Sequence, residues 1–430
     1  MEKVLIMSYF FPPCNLTASS RVAGWARYLP DFGYEPIVVT RNWDVPVSVL
    51  ADMARDSGTQ DELKTIGQAK VWYTQHRGNL RDRILAKYGD KRFNFLRRGL
   101  TFLELILENF MVSHLSYANL YYKAREILAQ DASIRKIIIS ASPYAQFHFG
   151  YLLKKEFPRI QWLADYRDDW TTTELAENRH FPWSFIYLLN RRSEKKWLSS
   201  SAAFLATAEM GKKRIEQFVG KKGYVVLNGF DNHIQLSEPI MDRKRFIITY
   251  TGTLYKTQPV ELLLDAFKIL HDQFRNQIEV ILQFPGLAFN REVAKRIEQY
   301  LKNYSHAVKI TPRIPREEVM DLQQKSNLLV LIGHTGLKGI APSKMFEYIG
   351  MRKKILFCCN DHDIIENALT QTGLGIICDS VDEIVQSVSK EIHRFLQNPE
   401  SKPQGNEQAI QQFSRKVQVQ KLAEILDTLK

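Results

Sequence analysis

Cysteine is scarce in this chain. Cys14, Cys358, Cys359 and Cys378 are the only four in 430 residues, and none forms a C-x-x-C pair. That argues against a disulfide scaffold or a thiolate zinc centre. Three of the four lie in or beside apolar runs, as buried reduced thiols in a reducing compartment would. No run of about 18 uncharged apolar residues is found, so no membrane-spanning helix is expected. Met1-Glu2-Lys3 leads straight into a short apolar run instead of the long apolar region of a secretory signal. There is no repeat at a solenoid period and no low-complexity segment. Acidic charge is also in deficit: Asp and Glu number 47 against 59 Lys and Arg, a formal charge of +12. Such an excess favours anionic partners, whether nucleotides, diphosphates, an acidic membrane surface or nucleic acid. With no RRM, KH or helix-turn-helix pattern beside the basic residues, nucleic acid is set aside.

What is present is an alternation of strand-like and helical patterns in a chain long enough for two sizeable domains. Residues 4–9 (VLIMSY) are a continuous apolar run, as in a central parallel strand covered on both faces. A loop (FFPPCNLTASS) and a helix over 20–31 follow, with Ser19 or Ser20 as N-cap, and then a second strand over 36–40. Further strands are expected over 136–142, 160–166, 203–207 and 224–227. A new series starts at Phe246 and continues through 279–284, 308–311, 328–332, 355–359 and 375–378. Between its first two strands, residues 260–274 place Leu263, Ala266, Phe267 and Leu270 on one helical face. Alternation restarted once predicts an α/β fold with two doubly wound sheets and ligand crevices at the strand carboxyl ends. Residues 228–231 (NGFD) are turn chemistry, and the polar stretch to Lys244 reads as a linker.

Two segments carry chemistry. In LKGIAPSKMFEYIGMRKKIL, residues 337–356, Pro342 suits a first helical turn. The free N–H groups of that turn, the helix dipole and Lys344 together form a receptor for phosphate. Glu347, three residues after Lys344, projects from the same face and suits sugar hydroxyls; an ordinary helix N-terminus with a solvated lysine and glutamate is the alternative. The second segment, residues 70–125, interrupts the alternation. It interleaves His76, Arg77, Arg81, Arg83, Lys87, Lys91, Arg92, Arg97 and Arg98 with Trp72, Tyr73, Tyr88, Phe93 and Phe95. An apolar helical stretch (LTFLELILENFMV) follows. Basic and aromatic residues before an amphipathic helix suit an anionic membrane surface, here through residues 77–98; an inserted hairpin with solvated cations is the alternative.

The ordered set YFFPP, SSRVAGWARYLPDFGYEPIVVT, LADYRDDW, VLNGFD, YTGTLYKTQPVELLLDAF, PSKMFEYIGMRKKIL and FSRKVQVQKLAEIL spans nearly the whole chain. It resembles the group 1 retaining glycosyltransferases of the GT-B fold, which use nucleotide sugars. The resemblance implies two Rossmann-like domains facing a central cleft: an acceptor domain over 1–232 carrying the basic insertion at 70–125, and a donor domain over 245–405. A terminal helix over 406–430 would cross back to the first domain. It also implies transfer of a sugar from a nucleotide-sugar donor to an acceptor hydroxyl, in surface-polysaccharide or lipid-linked glycan synthesis. No cofactor or metal would be needed, and the place of action would be the cytoplasm or the inner membrane face. A nucleotide-sugar epimerase and a non-catalytic binding or scaffold subunit are the other readings.

Carried over by position, Glu347 matches the second acid of the family's E-x7-E motif, and the first acid falls on Gly339. The family's G-R-L-x-x-x-K-G aligns from Gly252, with Thr253 at its arginine and Gln258 at its lysine, leaving Lys256 as a cation of that turn. The resemblance thus names Gly252, Thr253, Pro342, Ser343, Lys344 and Glu347 for the donor, and Lys256, Lys344, Asp168 and Arg21 for catalysis. Asn15, Arg167 and His148 are its acceptor-side candidates, and no nucleophile stands out.

Overall fold

The computed structural model describes residues 1–44, 47, 50–89, 92–173, 183–231, 241–255 and 257–429. The chain divides into two compact units, one of residues 1–228 with 416–430, the other of residues 229–415. The linker expected after residue 231 falls largely outside the described residues.

The first unit is built on eight strands: β1 (Glu2–Ser8), β2 (Tyr34–Arg41), β3 (Glu62–Ile66), β4 (Ala69–Thr74), β5 (Lys136–Ala141), β6 (Gln161–Tyr166), β7 (Ala203–Ala206) and β8 (Gly223–Val225). Their order is β3-β4-β2-β1-β5-β6-β7-β8, parallel except for the β3–β4 pair. The period-two alternation of strand side chains explains why the central strands are apolar throughout. Leu5 and Met7 join Ile37, Val39, Ile137 and Ile139 on one face. Val4 and Ile6 join Val38, Ile138 and Trp25 on the other. Burying each such side chain contributes about 1.5–3 kcal/mol. That second face is closed by the helix Arg415–Asp427 through Val419, Leu422 and Leu426. Lys416 pairs with Asp31 at 2.8 Å, and the Tyr34 hydroxyl donates to Asp427 at 2.5 Å.

The structure departs from the sequence reading in three places here. The segment taken as a pattern break from residue 70 begins inside the sheet, because Ala69–Thr74 pairs in parallel with β2. Val71 and Tyr73 face the core while Lys70 is exposed, so the basic and aromatic residues conceal an ordinary half-buried strand. The helical part proper comprises Leu80–Tyr88 and Asn94–Leu107. The first helix starts at Ala18, which puts Ser19 and Ser20 inside it instead of at its cap, their hydroxyls donating to carbonyls of residues 14–17. The closing segment is two helices, Glu407–Gln412 and Arg415–Asp427. Between them the backbone pairs with residue 230: Phe230 N–H donates to Phe413 O at 3.0 Å and Arg415 N–H to Phe230 O at 2.7 Å, which interrupts any continuous helix.

The second unit has six parallel strands: β9 (Arg245–Thr249), β10 (Glu279–Phe284), β11 (Val308–Ile310), β12 (Leu328–Ile332), β13 (Lys354–Cys358) and β14 (Gly375–Cys378). Their order is β11-β10-β9-β12-β13-β14. The helix Glu261–Phe274 packs Leu263, Ala266, Phe267 and Leu270 into the core as its periodicity requires. All four cysteines are free thiols. Among the described residues no helix is long and apolar enough to cross a membrane. Each sheet reverses its strand order once, at β1/β5 in the first unit and β9/β12 in the second. Loops leaving the carboxyl ends of such strands diverge and open a ligand crevice.

Candidate functional site

In the second unit that crevice is framed by the loops after β9 and β12. Gly252 lies at φ +88, a left-handed conformation open to glycine, and a Cβ there would look onto Lys344 Nζ at 3.8 Å. Gly333 ends β12 where a Cβ would fall 1.9 Å from the Cys359 carbonyl oxygen, so only glycine lets the two backbones pass. The loops are stitched together. Gln258 Nε2 donates to Ile332 O at 2.6 Å, Thr257 Oγ1 meets His334 Nδ1 at 2.7 Å, and Thr335 N–H donates to Thr257 O at 2.9 Å.

Against this frame sits the helix Ser343–Gly350. Its N-cap is Pro342, which supplies no side-chain cap, so its amide end is left for water or a ligand. The helix is held by Tyr348, a buried phenol whose oxygen accepts from Thr251 N–H at 3.1 Å and bonds Thr251 Oγ1 at 2.7 Å. Lys344 then reaches over the Tyr250 ring, 3.9 Å from its centroid, and donates to the Tyr250 hydroxyl at 2.7 Å. Burial pushes the Lys344 ammonium down to about 7, against the opposing pull of Glu347. Burial first, and the nearby Lys344 second, also lower the pKa of His334. A cation this poorly compensated is stabilised by any anion that enters. Glu347 accepts from Arg316 Nη2 at 2.9 Å and keeps a quarter of its side chain exposed. At Gly339 the missing acid is partly answered from elsewhere: the Gly339 N–H donates to Asp363 Oδ2 at 2.7 Å. Among the described residues no group of three or more His, Cys, Asp or Glu is placed to hold a metal ion.

The second unit therefore brings Gly252, Pro342, Ser343, Lys344 and Glu347 to one end of its sheet. Thr253 contributes its carbonyl, which accepts from the Tyr250 hydroxyl at 2.9 Å. Lys256 lies outside the described residues. Sequence reasoning missed Tyr250, His334 and Tyr348; the polar group at an apolar strand's end in IITY and in VLIGH was the available signal.

The first-unit candidates are placed otherwise. Arg21 is 2% exposed and fully engaged: Nε and Nη2 hold Asp165, with Nη2 at 2.7 Å, while Nη1 donates to Val226 O at 2.9 Å and Asn228 Oδ1 at 3.2 Å. Asp165 also accepts from Ser140 Oγ at 2.7 Å. Arg21 is thus half of a buried ion pair tying three strands together. His148 likewise sits in the core of the first unit. It is buried, stacked on Trp197 at 4.8 Å, with its pKa lowered chiefly by burial. Asn15 is exposed, and its amide brackets Val47, accepting from the Val47 N–H at 2.9 Å. Arg167 and Asp168 pair with each other at 3.0 Å, Asp168 remaining 67% exposed. Asp169 is held by Arg214 at 2.7 Å.

Two doubly wound sheets, parallel but for the β3–β4 pair, have the architecture of the GT-B fold. Residues 235–412 match the family described as Glycosyl transferases group 1. The fold is shared with sucrose-phosphate synthase from Thermosynechococcus elongatus (TM-score 0.65, 13% identity, 100% of this chain and 99% of that one). It is shared also with the UDP-forming α,α-trehalose-phosphate synthase of Burkholderia vietnamiensis (TM-score 0.62, 9% identity, 100% and 99%). HepE of Anabaena, solved with UDP and glucose, matches with a TM-score of 0.58 at 13% identity over 100% of both chains. No curated protein matches the sequence.

Proposed function

We propose that the chain transfers a glycosyl group from a nucleotide-sugar donor to an acceptor hydroxyl, with retention and without a bound metal. The observation that carries this reading is Lys344, poised on the Tyr250 ring at the second sheet's switch point beside the uncapped helix end. The bond from the anomeric carbon to the diphosphate breaks heterolytically, and its electron pair leaves with the diphosphate. The acceptor oxygen forms the new bond and releases its proton. Lys344 and the Ser343 and Lys344 N–H groups meet the charge that develops, which is the efficient place to lower the barrier. Those donors supply positive charge that a metal would otherwise bring. Glu347 takes the ribose hydroxyls, exchanging Arg316 for them. That HepE was solved with UDP and with UDP-glucose, and Arabidopsis starch synthase IV with ADP and acarbose, agrees with a nucleoside diphosphate in this position.

The acceptor is assigned to the first unit, in surface-polysaccharide or lipid-linked glycan synthesis at the inner membrane face. The helix Asn94–Leu107, none of whose residues is buried and whose Phe95 is 92% exposed, supports contact with a membrane surface. The Gly339 departure favours a second reading, a donor-binding subunit without turnover. Slow donor hydrolysis without acceptor separates the two. The first expects release of nucleoside diphosphate that Lys344→Met abolishes in a folded protein. Binding of the donor with no release establishes the second.

A further inference from the structure

Two histidines meet on the second unit, away from the crevice. His271 lies in the last turn of the helix Glu261–Phe274, and His306 in the short helical stretch Lys302–Ala307. The first element leads into β10 and the second into β11. The pair therefore sits at the amino ends of those strands, opposite the loops that frame the crevice. The two Nε2 atoms are 3.2 Å apart, the ring centres 5.1 Å apart and the ring planes at 75°. Packing fixes the arrangement from one side: His271 lies against Phe267 and meets Tyr304 edge-on at 5.4 Å, with 13% of its side chain exposed. His306 is exposed, so the other side opens to solvent.

That separation has two physical readings. A straight N–H···N bond between the rings at this distance would set their centres about 5.5 Å apart. Two imidazoles sharing an ion such as Zn²⁺, each nitrogen about 2.0–2.1 Å from it, stand about 3.2 Å apart at an angle of about 100°, with ring centres about 5 Å apart. The observed centres match the second arrangement. The contacts behind His271 suit it too. A metal-bound imidazole commonly gives its other ring N–H to a carboxylate, which fixes the tautomer and leaves the lone pair for the ion. His271 Nδ1 is buried without a hydrogen-bond partner among the described residues, and Asp272 Oδ1 stands 3.6 Å from it. Asp272 is held in turn by Tyr304, whose hydroxyl donates to Oδ2 at 2.8 Å.

We infer that His271 and His306 form a binding site for a late first-row divalent cation, Zn²⁺ or Ni²⁺, with Asp272 orienting His271 from behind. Two nitrogens are the protein's share of the coordination shell, and water fills the rest. Imidazole prefers such ions to Mg²⁺ and Ca²⁺, which take oxygen ligands. The ion clips the end of one helix to the segment entering β11, and it has no part in glycosyl transfer at Lys344. The full chain is titrated calorimetrically with Zn²⁺ and Ni²⁺, and with Mg²⁺ and Ca²⁺ as controls. Binding of one Zn²⁺ per chain is expected, with none of Mg²⁺ at the same concentrations. His306→Ala, a change at an exposed site, should lose that binding, and Asp272→Asn should weaken it by roughly 10–100-fold. His362→Ala removes an exposed histidine elsewhere in the second unit, one paired with Glu366 at 3.4 Å, and should change nothing. In EDTA all the variants should melt with the wild type, whereas Zn²⁺ should raise the melting temperature of the wild type and of His362→Ala but not of His306→Ala. Absence of Zn²⁺ binding overturns the site, as does binding that survives His306→Ala or is lost in His362→Ala. Asp272→Asn binding as tightly as the wild type overturns the orienting role of Asp272.

Discussion

The two switch points handle a basic side chain in opposite ways. In the first unit Arg21 is buried under a bidentate pair with Asp165 and two further acceptors, so each of its three nitrogens donates within the fold. In the second, Lys344 is turned towards a phenol and an uncapped helix end, and its ammonium is destabilised by its surroundings. A satisfied cation holds strands together; an unsatisfied one is a binding group waiting for charge. Position at a strand's carboxyl end does not by itself distinguish them; the carboxylate partner does.

The largest expected effect follows from removing the satisfied partner. Arg21→Met leaves Asp165, wholly buried, with Ser140 as its remaining side-chain donor, and breaking such a pair costs about 3–5 kcal/mol. Urea denaturation should show that loss in the first unit. A change under 1 kcal/mol would mean that Arg21 is not holding the sheet and would return it to the list of binding groups. Lys344→Met should do the reverse. Stability is unchanged or raised, since a half-buried and poorly compensated charge is removed, while nucleoside diphosphate affinity falls roughly 10–150-fold. Calorimetry with UDP and ADP checks both halves of that statement.

The same contrast has a pH signature. The Lys344 ammonium titrates near 7 in the folded chain against 10.5 ordinarily, so between those values the unfolded chain binds more protons. This contribution makes the fold more stable as pH rises from about 7 to 10.5; on acidification the gain is lost over the same window and levels off below about 7, where both states are protonated. Anion binding needs the protonated form and has the opposite slope: affinity for nucleoside diphosphate should decline by up to tenfold per pH unit above about 7, with proton uptake on binding. A pH-independent affinity between 7 and 9 in wild type, or the same slope in Lys344→Met, would show that Lys344 is not the group that meets the anion.

Much of the second unit was legible because β12 and the middles of β9, β10 and β13 are apolar runs and the helix Glu261–Phe274 keeps its periodicity. Position supplied Lys344 and Gly252 for the same reason: they follow runs that must be central strands. What could not be read is pairing across long sequence distance. Asp165 lies 144 residues from Arg21, so nothing near Arg21 announces that it is taken. His148 reads as a helix histidine, and only the stacked Trp197 makes it part of the core. The strand Ala69–Thr74 was hidden by Lys70 at an exposed position and by the run of basic and aromatic residues that continues beyond it. His334 was missed because its relevance depends on the facing loop, whose Thr257 fixes it.

The smallest effect tests whether Glu347 resembles Arg21 or Lys344. Its partner Arg316 is 57% exposed, and such surface pairs contribute about 0–1 kcal/mol. Arg316→Ala should therefore leave stability within about 0.5 kcal/mol. If the carboxylate is wanted by a ribose, Arg316 competes with the ligand, and removing it should tighten nucleoside diphosphate binding by up to about fivefold, the equivalent of that pair. Glu347→Gln should weaken binding in the Arg316→Ala background as well. If Arg316→Ala loosens binding instead, the arginine itself touches the ligand and Glu347 is merely its support, which would move Glu347 to the side of the comparison where Arg21 stands.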